Sequence, residues 1–292
     1  MMKVDVRDLT LRYGKTTALD GLSFSLDGGK IYGLLGRNGS GKSTLLSVLA
    51  AFRKADGGDV LIDGEPVFEN PRVTRQIALI RESVDIPDSD DKIERVLEFV
   101  ASHRPNWDAD YAARLLDGFE LDPKKQVKEL SRGKQSALGA ILGLAARAPL
   151  TMFDETYLGM DAPSRYRFYD EILSDYIAHP RTIVVSTHLI EEVAKIFEEV
   201  VIIDKGRLVL HEPVETLTAR GATVTGPAEQ VEAFANGLTV LNERQLGRTK
   251  SVTVYGQMTA QQHQHARDAG LDLEPVPLQD LFVYLTSKGG AQ

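Results

Sequence analysis

The stretch Gly36-Arg37-Asn38-Gly39-Ser40-Gly41-Lys42-Ser43 fits G-x-x-x-x-G-K-[ST] at every position. An apolar run, Ile31-Tyr32-Gly33-Leu34-Leu35, leads into it and reads as a short buried strand. Ser43 to Ala50 leads out of it and reads as a helix. Strand, glycine-rich turn and helix are the context in which this pattern binds phosphate. Glycines let the backbone wrap tightly, so successive N–H groups converge on an anion, and the helix adds its positive end. The candidate phosphate-binding set is Gly36, Asn38, Gly39, Ser40, Gly41, Lys42, Ser43 and Thr44. Lys42 reaches toward the β- and γ-phosphates of a nucleoside triphosphate, and the Ser43 hydroxyl is placed to ligate Mg²⁺.

Outward from the loop, buried-strand candidates recur at 77–80, 150–153, 182–185 and 200–203, separated by helical periodicity. Strands alternating with helices predict a mainly parallel α/β sheet. Residues 3–12 and 22–26 alternate apolar with polar, 59–63 reads as a further short strand, and the first small strands predict an antiparallel β patch beside the sheet. The segment 85–147 is mostly helical, broken at Pro105 and Pro123, and predicts a helical subdomain. A composition shift near Gly221 divides a nucleotide-binding domain, 1–220, from an accessory domain, 221–292. The latter's order of short strands and helices fits a ferredoxin-like α+β fold.

Leu150-Thr151-Met152-Phe153-Asp154-Glu155 is an apolar strand ending in two carboxylates. Such a strand delivers its end to the carboxyl edge of the sheet, where ligands bind. Asp154 is the candidate for the Mg²⁺ shell. Glu155, one residue on, is the candidate general base or water-orienting group.

Leu130-Ser131-Arg132-Gly133-Lys134-Gln135, ahead of that strand, resembles the LSGGQ signature of the ATP-binding cassette (ABC) family, with Arg132 and Lys134 departing from it. Read locally, Ser131 caps a helix over 132–146, and an exposed helix N-terminus is an anion site. The resemblance implies that Ser131 and Gly133 receive the γ-phosphate of ATP held on a second cassette. It further implies that Tyr13 stacks on adenine, that Asp161 in Gly159-Met160-Asp161 belongs to a loop communicating across a dimer, and that His188 is a switch histidine beside Glu155. Where the family places a glutamine that ligates Mg²⁺, this chain has Glu82. The implied cofactors are ATP and Mg²⁺. The implied partners are a second cassette, in head-to-tail two-fold pairing, and membrane permease subunits. The tail after about 221 is similar to extensions of bacterial drug- and antibiotic-export ATPases.

Composition narrows the alternatives. The 292 residues carry 34 Lys and Arg against 42 Asp and Glu, a net charge of −8, which argues against a nucleic-acid partner. A soluble ABC-type ATPase acting on nucleic acid or the ribosome is the competing reading; such proteins carry paired cassettes or a long coiled coil, and neither is seen. A P-loop kinase or GTPase lacks its guanine motif here. Metal storage by His263 and His265 conflicts with their i, i+2 spacing on a helix. With no cysteine, disulfides and thiolate chemistry are excluded. The longest apolar run, Ala137 to Ala146, falls short of the roughly 20 residues a membrane span needs. With a charged N-terminus lacking an apolar signal core, it predicts a cytoplasmic protein; the resemblance, with its permease partners, implies a peripheral place on the inner face of the membrane.

Overall fold

A computed structural model describes residues 2–81, 90–256 and 258–287 of the chain. Glu82 and most of the charged stretch after it lie outside the described residues. The chain divides into two compact units, Met1–His211 and Glu212–Gln292.

The first unit opens with β1 (Val4–Tyr13), β2 (Thr16–Leu26) and β3 (Ile31–Leu35), followed by α1 (Lys42–Leu49), β4 (Gly57–Ile62) and β5 (Glu65–Pro66). An antiparallel sheet in the order β2-β1-β4-β5 forms from these. Val4, Val6, Leu9 and Leu11 all face inward although Val6 and Leu9 are three apart. The register shifts between them and Asp8 adopts a φ of 46°, so one extra residue is absorbed and Leu9 returns to the buried face. β2 is longer than the 22–26 stretch that alternation marked. Its first half pairs with the end of β1 through Leu19 and Leu11, and through Thr16 and Tyr13. Cross-strand pairing, not apolar patterning, makes it a strand.

α2 (Pro71–Thr74), β6 (Ile77–Arg81), α3 (Ile93–His103), α4 (Ala109–Gly118), α5 (Arg132–Ala145) and β7 (Leu150–Asp154) come next. After them follow α6 (Ala162–Ala178), β8 (Thr182–Thr187), α7 (Ile190–Val193), β9 (Glu199–Asp204) and β10 (Arg207–Pro213). The second sheet has the order β10-β9-β3-β8-β7-β6, and β6, β7, β8, β3 and β9 run parallel. β3, β7 and β8 are buried at every residue, as strands covered on both faces must be. α3 stops at His103, just ahead of Pro105, and Asp108 caps α4 by accepting from Tyr111 N at 2.7 Å. From Ser136 to Ala145, α5 is buried throughout.

The second unit contains α8 (Val214–Ala219), β11 (Gly221–Pro227), α9 (Ala228–Ala235), β12 (Thr239–Leu246), β13 (Thr249–Tyr255), α10 (Ala260–Asp268), β14 (Asp272–Pro275) and α11 (Leu278–Ser287). Its sheet is antiparallel, in the order β12-β13-β11-β14. Val224, Val252 and Val254 on one face pack with Val231 and Phe234 of α9 and with Ala266 and Leu271. The unit begins at Glu212 rather than at the composition shift near Gly221, because α8 packs on β11 and α11. Among the described residues, no helix is long and apolar enough to cross a membrane.

One ionic knot ties the helical segment to the sheet layer. Asp175 of α6, 2% exposed, lies 3.1 Å from Arg147 Nη2 and 2.6 Å from Arg181 Nη1. Arg147 Nη1 reaches Asp108, the α4 cap, at 2.7 Å. Removing Asp175 takes the carboxylate from the buried Arg181 and leaves Arg147 with Asp108 alone. Asp175→Ala is therefore expected to lower stability by about 3–5 kcal/mol. Urea unfolding followed by Trp107, the one tryptophan in the sequence, reads this directly. A midpoint within error of the parent would show that the knot contributes nothing.

Candidate nucleotide site

The 36–43 loop joins β3 to α1 at the carboxyl edge of the parallel sheet. Two other elements fix its shape. Gly206, in the β9–β10 turn, donates its N–H to Ser40 O at 2.9 Å and accepts from Asp20 N at 2.9 Å. From β2, the Ala18 carbonyl lies 2.6 Å from where a Gly41 Cβ would stand, and Gly41 has a φ of 106°. No L side chain suits that backbone or that space. The antiparallel sheet thus bears on the loop from one side and the β9–β10 turn from another.

Lys42 is buried. Its Nζ donates to Gly36 O at 2.7 Å and lies 3.5 Å from Glu155 Oε1. Asn38 and Gly39 are exposed at the tip of the loop, and Ser43 and Thr44 open α1. Parallel pairing sets the end of β7 beside those of β6 and β8, with Asp154 level with Arg81 and Ser186. Asp154 is 5% exposed, and its Oδ1 is buried with no hydrogen-bond partner among the described residues. Glu155 takes a left-handed backbone, φ 49°, as the chain leaves the strand. A cleft of about 310 Å³ is lined by Tyr13, Ser43, Thr44, Asp154, Glu155 and the residues Ser47, Arg53 and Arg81.

Those last residues escape a reading of motifs. The Arg53 guanidinium lies 5.2 Å from the centroid of the Tyr13 ring, a cation–π contact on a ring 43% exposed. Arg81 donates to Ser47 Oγ at 3.0 Å and sits 5.1 Å from the Phe52 ring. Its place as the last residue of a strand ending at the ligand edge was a usable signal. Arg53, in the loop after α1, gave none.

At the end of β8, His188 Nδ1 stands 3.4 Å from Glu155 Oε1 and 3.1 Å from the Tyr157 hydroxyl. The His188 backbone N–H donates to the same hydroxyl at 3.1 Å. Tyr157 is 1% exposed, and burial raises its pKa above the ordinary value, so it keeps its proton at neutral pH.

Ser131 and Gly133 lie elsewhere in the unit. Ser131 Oγ accepts from Lys134 N at 3.3 Å as the cap of α5. Gly133 approaches the next loop so closely that a Cβ would stand 2.4 Å from Gly159 O. Asp161 caps α6, accepting from Ser164 N at 3.0 Å, and the Ser164 hydrogen bonds hold its carboxyl below the usual range. These residues line a second cleft, of about 810 Å³, which shares no residue with the first. Lys42, Ser43, Asp154, Glu155 and His188 are therefore brought together, and Ser131, Gly133 and Asp161 form a separate surface of the same chain.

A parallel sheet, a glycine loop under a helix N-terminus and two carboxylates at the end of β7, one strand removed from β3, define a P-loop nucleotide-binding protein. Residues 19–157 match the family model described as ABC transporter. The Nod factor export ATP-binding protein I of Burkholderia orbicola (strain AU 1054) is 32% identical over 70% of this chain and 68% of its own length. The ABC transporter ATP-binding protein YtrB of Bacillus subtilis (strain 168) is 29% identical over 66% of this chain, which spans 65% of YtrB. A solved structure titled as the ATP binding subunit of an ABC transporter superposes with a TM-score of 0.66, at 24% identity, over 73% of this chain and 91% of that one. The chain belongs to the ABC transporter ATP-binding family.

Gly41→Ala places a methyl group against the Ala18 carbonyl and forces the loop open. Nucleotide affinity, measured with a fluorescent ATP analogue, is expected to fall by at least about tenfold, the effect of losing about 1.4 kcal/mol of binding. The circular dichroism spectrum should stay that of the parent. Unchanged affinity would mean that the loop shape does not govern binding.

Proposed function

We propose that the chain binds and hydrolyses ATP as one half of a pair of cassettes and so drives transport, in the export direction, through separate membrane subunits. The observation that carries this reading is the separation of the two clefts. Ser43, Asp154 and Glu155 line one, with Lys42 Nζ 3.5 Å from Glu155, and the capping Ser131 of α5 lines the other. A second cassette turned head to tail supplies its Ser131 helix to the open side of the first cassette's nucleotide, and receives the same in return. ATP then favours the closed pair because its γ-phosphate is held from both sides, and hydrolysis withdraws that preference.

Within each half-site the residues divide the work. The N–H groups of 36–43 and Lys42 hold the phosphates, Thr44 extends that set, and Tyr13 carries the base. Asp154 Oδ1, buried without a partner among the described residues, and the Ser43 hydroxyl are hard oxygen donors on one cleft and fit Mg²⁺, which commonly takes one or two protein carboxylates beside substrate phosphates. Glu82 is a further candidate for that shell. The ion, when bound, neutralises charge on the phosphate oxygens. Glu155 accepts a proton from, or orients, the attacking water, and His188, beside it, donates to the γ-phosphate as the switch histidine. Asp161 lies on the pairing surface beside Ser131. The second unit is proposed as a ferredoxin-like accessory domain. Export finds support in the relatives named for it, and a peripheral place on the inner membrane face follows from the need for permease partners.

Glu155→Gln tests the assignment. The variant is expected to bind ATP with parental affinity, to hydrolyse it about 100-fold more slowly or worse, and to run as a dimer with ATP on size exclusion. Hydrolysis at the parental rate would remove Glu155 from the mechanism.

A further inference from the structure

His188 Nδ1 has two neighbours that make opposite demands. The Glu155 carboxylate only accepts, so it favours a proton on Nδ1. The Tyr157 hydroxyl can donate, so it favours a bare Nδ1. The distances are 3.4 Å and 3.1 Å, and the shorter contact is to the more buried group. The donor inventory points the same way. Tyr157 O accepts the His188 backbone N–H and is also hydrogen-bonded by the Thr187 hydroxyl, whose own oxygen accepts the Leu189 N–H; this leaves the Tyr157 O–H for Nδ1. Glu155 also has a cation at hand, since Lys42 Nζ stands 3.5 Å from the same Oε1.

We infer that Tyr157 is a positioning residue: its hydroxyl donates to His188 Nδ1, holds the imidazole proton on Nε2, and thereby keeps the Glu155 carboxylate from being occupied by the imidazole. The inference rests on the proposed roles of Glu155 and His188, and deepens them. In the Nε2–H tautomer, Nδ1 presents a lone pair to Glu155, so the carboxylate finds its donors in Lys42 and in water. In the Nδ1–H tautomer the imidazole donates to Glu155 and competes with the water it has to receive. One proton location thus decides whether the general base is available.

The packing around Tyr157 keeps that hydroxyl in place. Its ring lies 6.3 Å from that of Tyr169 and 5.9 Å from that of His188. Thr156, next to it, donates its hydroxyl to Ile80 O at 3.0 Å and pins the turn to β6. The residue two places after a strand-end glutamate carries no phosphate-binding or acid–base signal in sequence, which is why motif reading passes over it.

Long-range ¹H–¹⁵N spectra of the His188 ring in the parent protein read the tautomer without any substitution. They are expected to show Nε2–H, and an Nδ1–H signature overturns the inference. Tyr157→Phe removes the hydroxyl and keeps the ring. It is expected to move the proton to Nδ1 and to lower kcat by about 10- to 100-fold, below the full range of lost acid–base catalysis, with KM for ATP within about twofold of the parent. A variant with the parental tautomer and kcat overturns it as well. If Glu155→Gln hydrolyses ATP normally while the spectra still show Nε2–H, the catalytic assignment fails and the tautomer assignment survives, so the two failures are told apart.

Discussion

The close approach of the Ala18 carbonyl to Gly41 is the constraint on which the nucleotide site depends. It joins β2 of the antiparallel sheet to the first turn of α1, and α1 in turn carries Lys42, Ser43 and Thr44. The Gly206 N–H bond to Ser40 O closes the loop from the opposite end of the chain's first unit. A loop rich in glycine has many conformations and loses much entropy when fixed in one. Here two independent elements meet that cost before any ligand arrives, so the convergent N–H groups are part of the fold itself.

A second constraint acts on α5. The helix is buried along its length after Ser136, and only its first turn, capped by Ser131, reaches a surface. Its direction is set by the burial of its flanks, and the neighbouring Arg147 anchors the segment to Asp175 and Asp108. The capping serine is thus held rigidly, yet away from the chain's own phosphate loop. Rigid presentation of this surface suits the proposed pairing of cassettes, because a pre-ordered surface loses little conformational freedom on binding.

What sequence alone conveyed depended on how local the determining physics is. The phosphate loop was legible because eight contiguous residues carry its geometry. Strands β3, β7 and β8 were legible because burial on both faces leaves unbroken apolar runs. The first half of β2 was hidden, since Thr16 to Ala18 are exposed or half-buried and become a strand only by pairing with β1. The boundary at Glu212 was hidden for a similar reason: α8 is assigned by what it packs on. Within the site, Lys42, Asp154 and Glu155 announced themselves by motif and strand end. Arg53 and Tyr157 did not, because their importance lies in a ring face and a ring nitrogen contributed by residues distant in sequence.

The left-handed backbone at Glu155 has a cost in durability. A residue with a Cβ sits there at a disadvantage of about 1–2 kcal/mol relative to glycine. The fold therefore stores a small tension at the spot where its carboxylate is aimed. Under the proposed role of Glu155, thermal robustness and hydrolysis pull in opposite directions at this one position, and a screen for hardier variants that ignored activity would drift away from glutamate there.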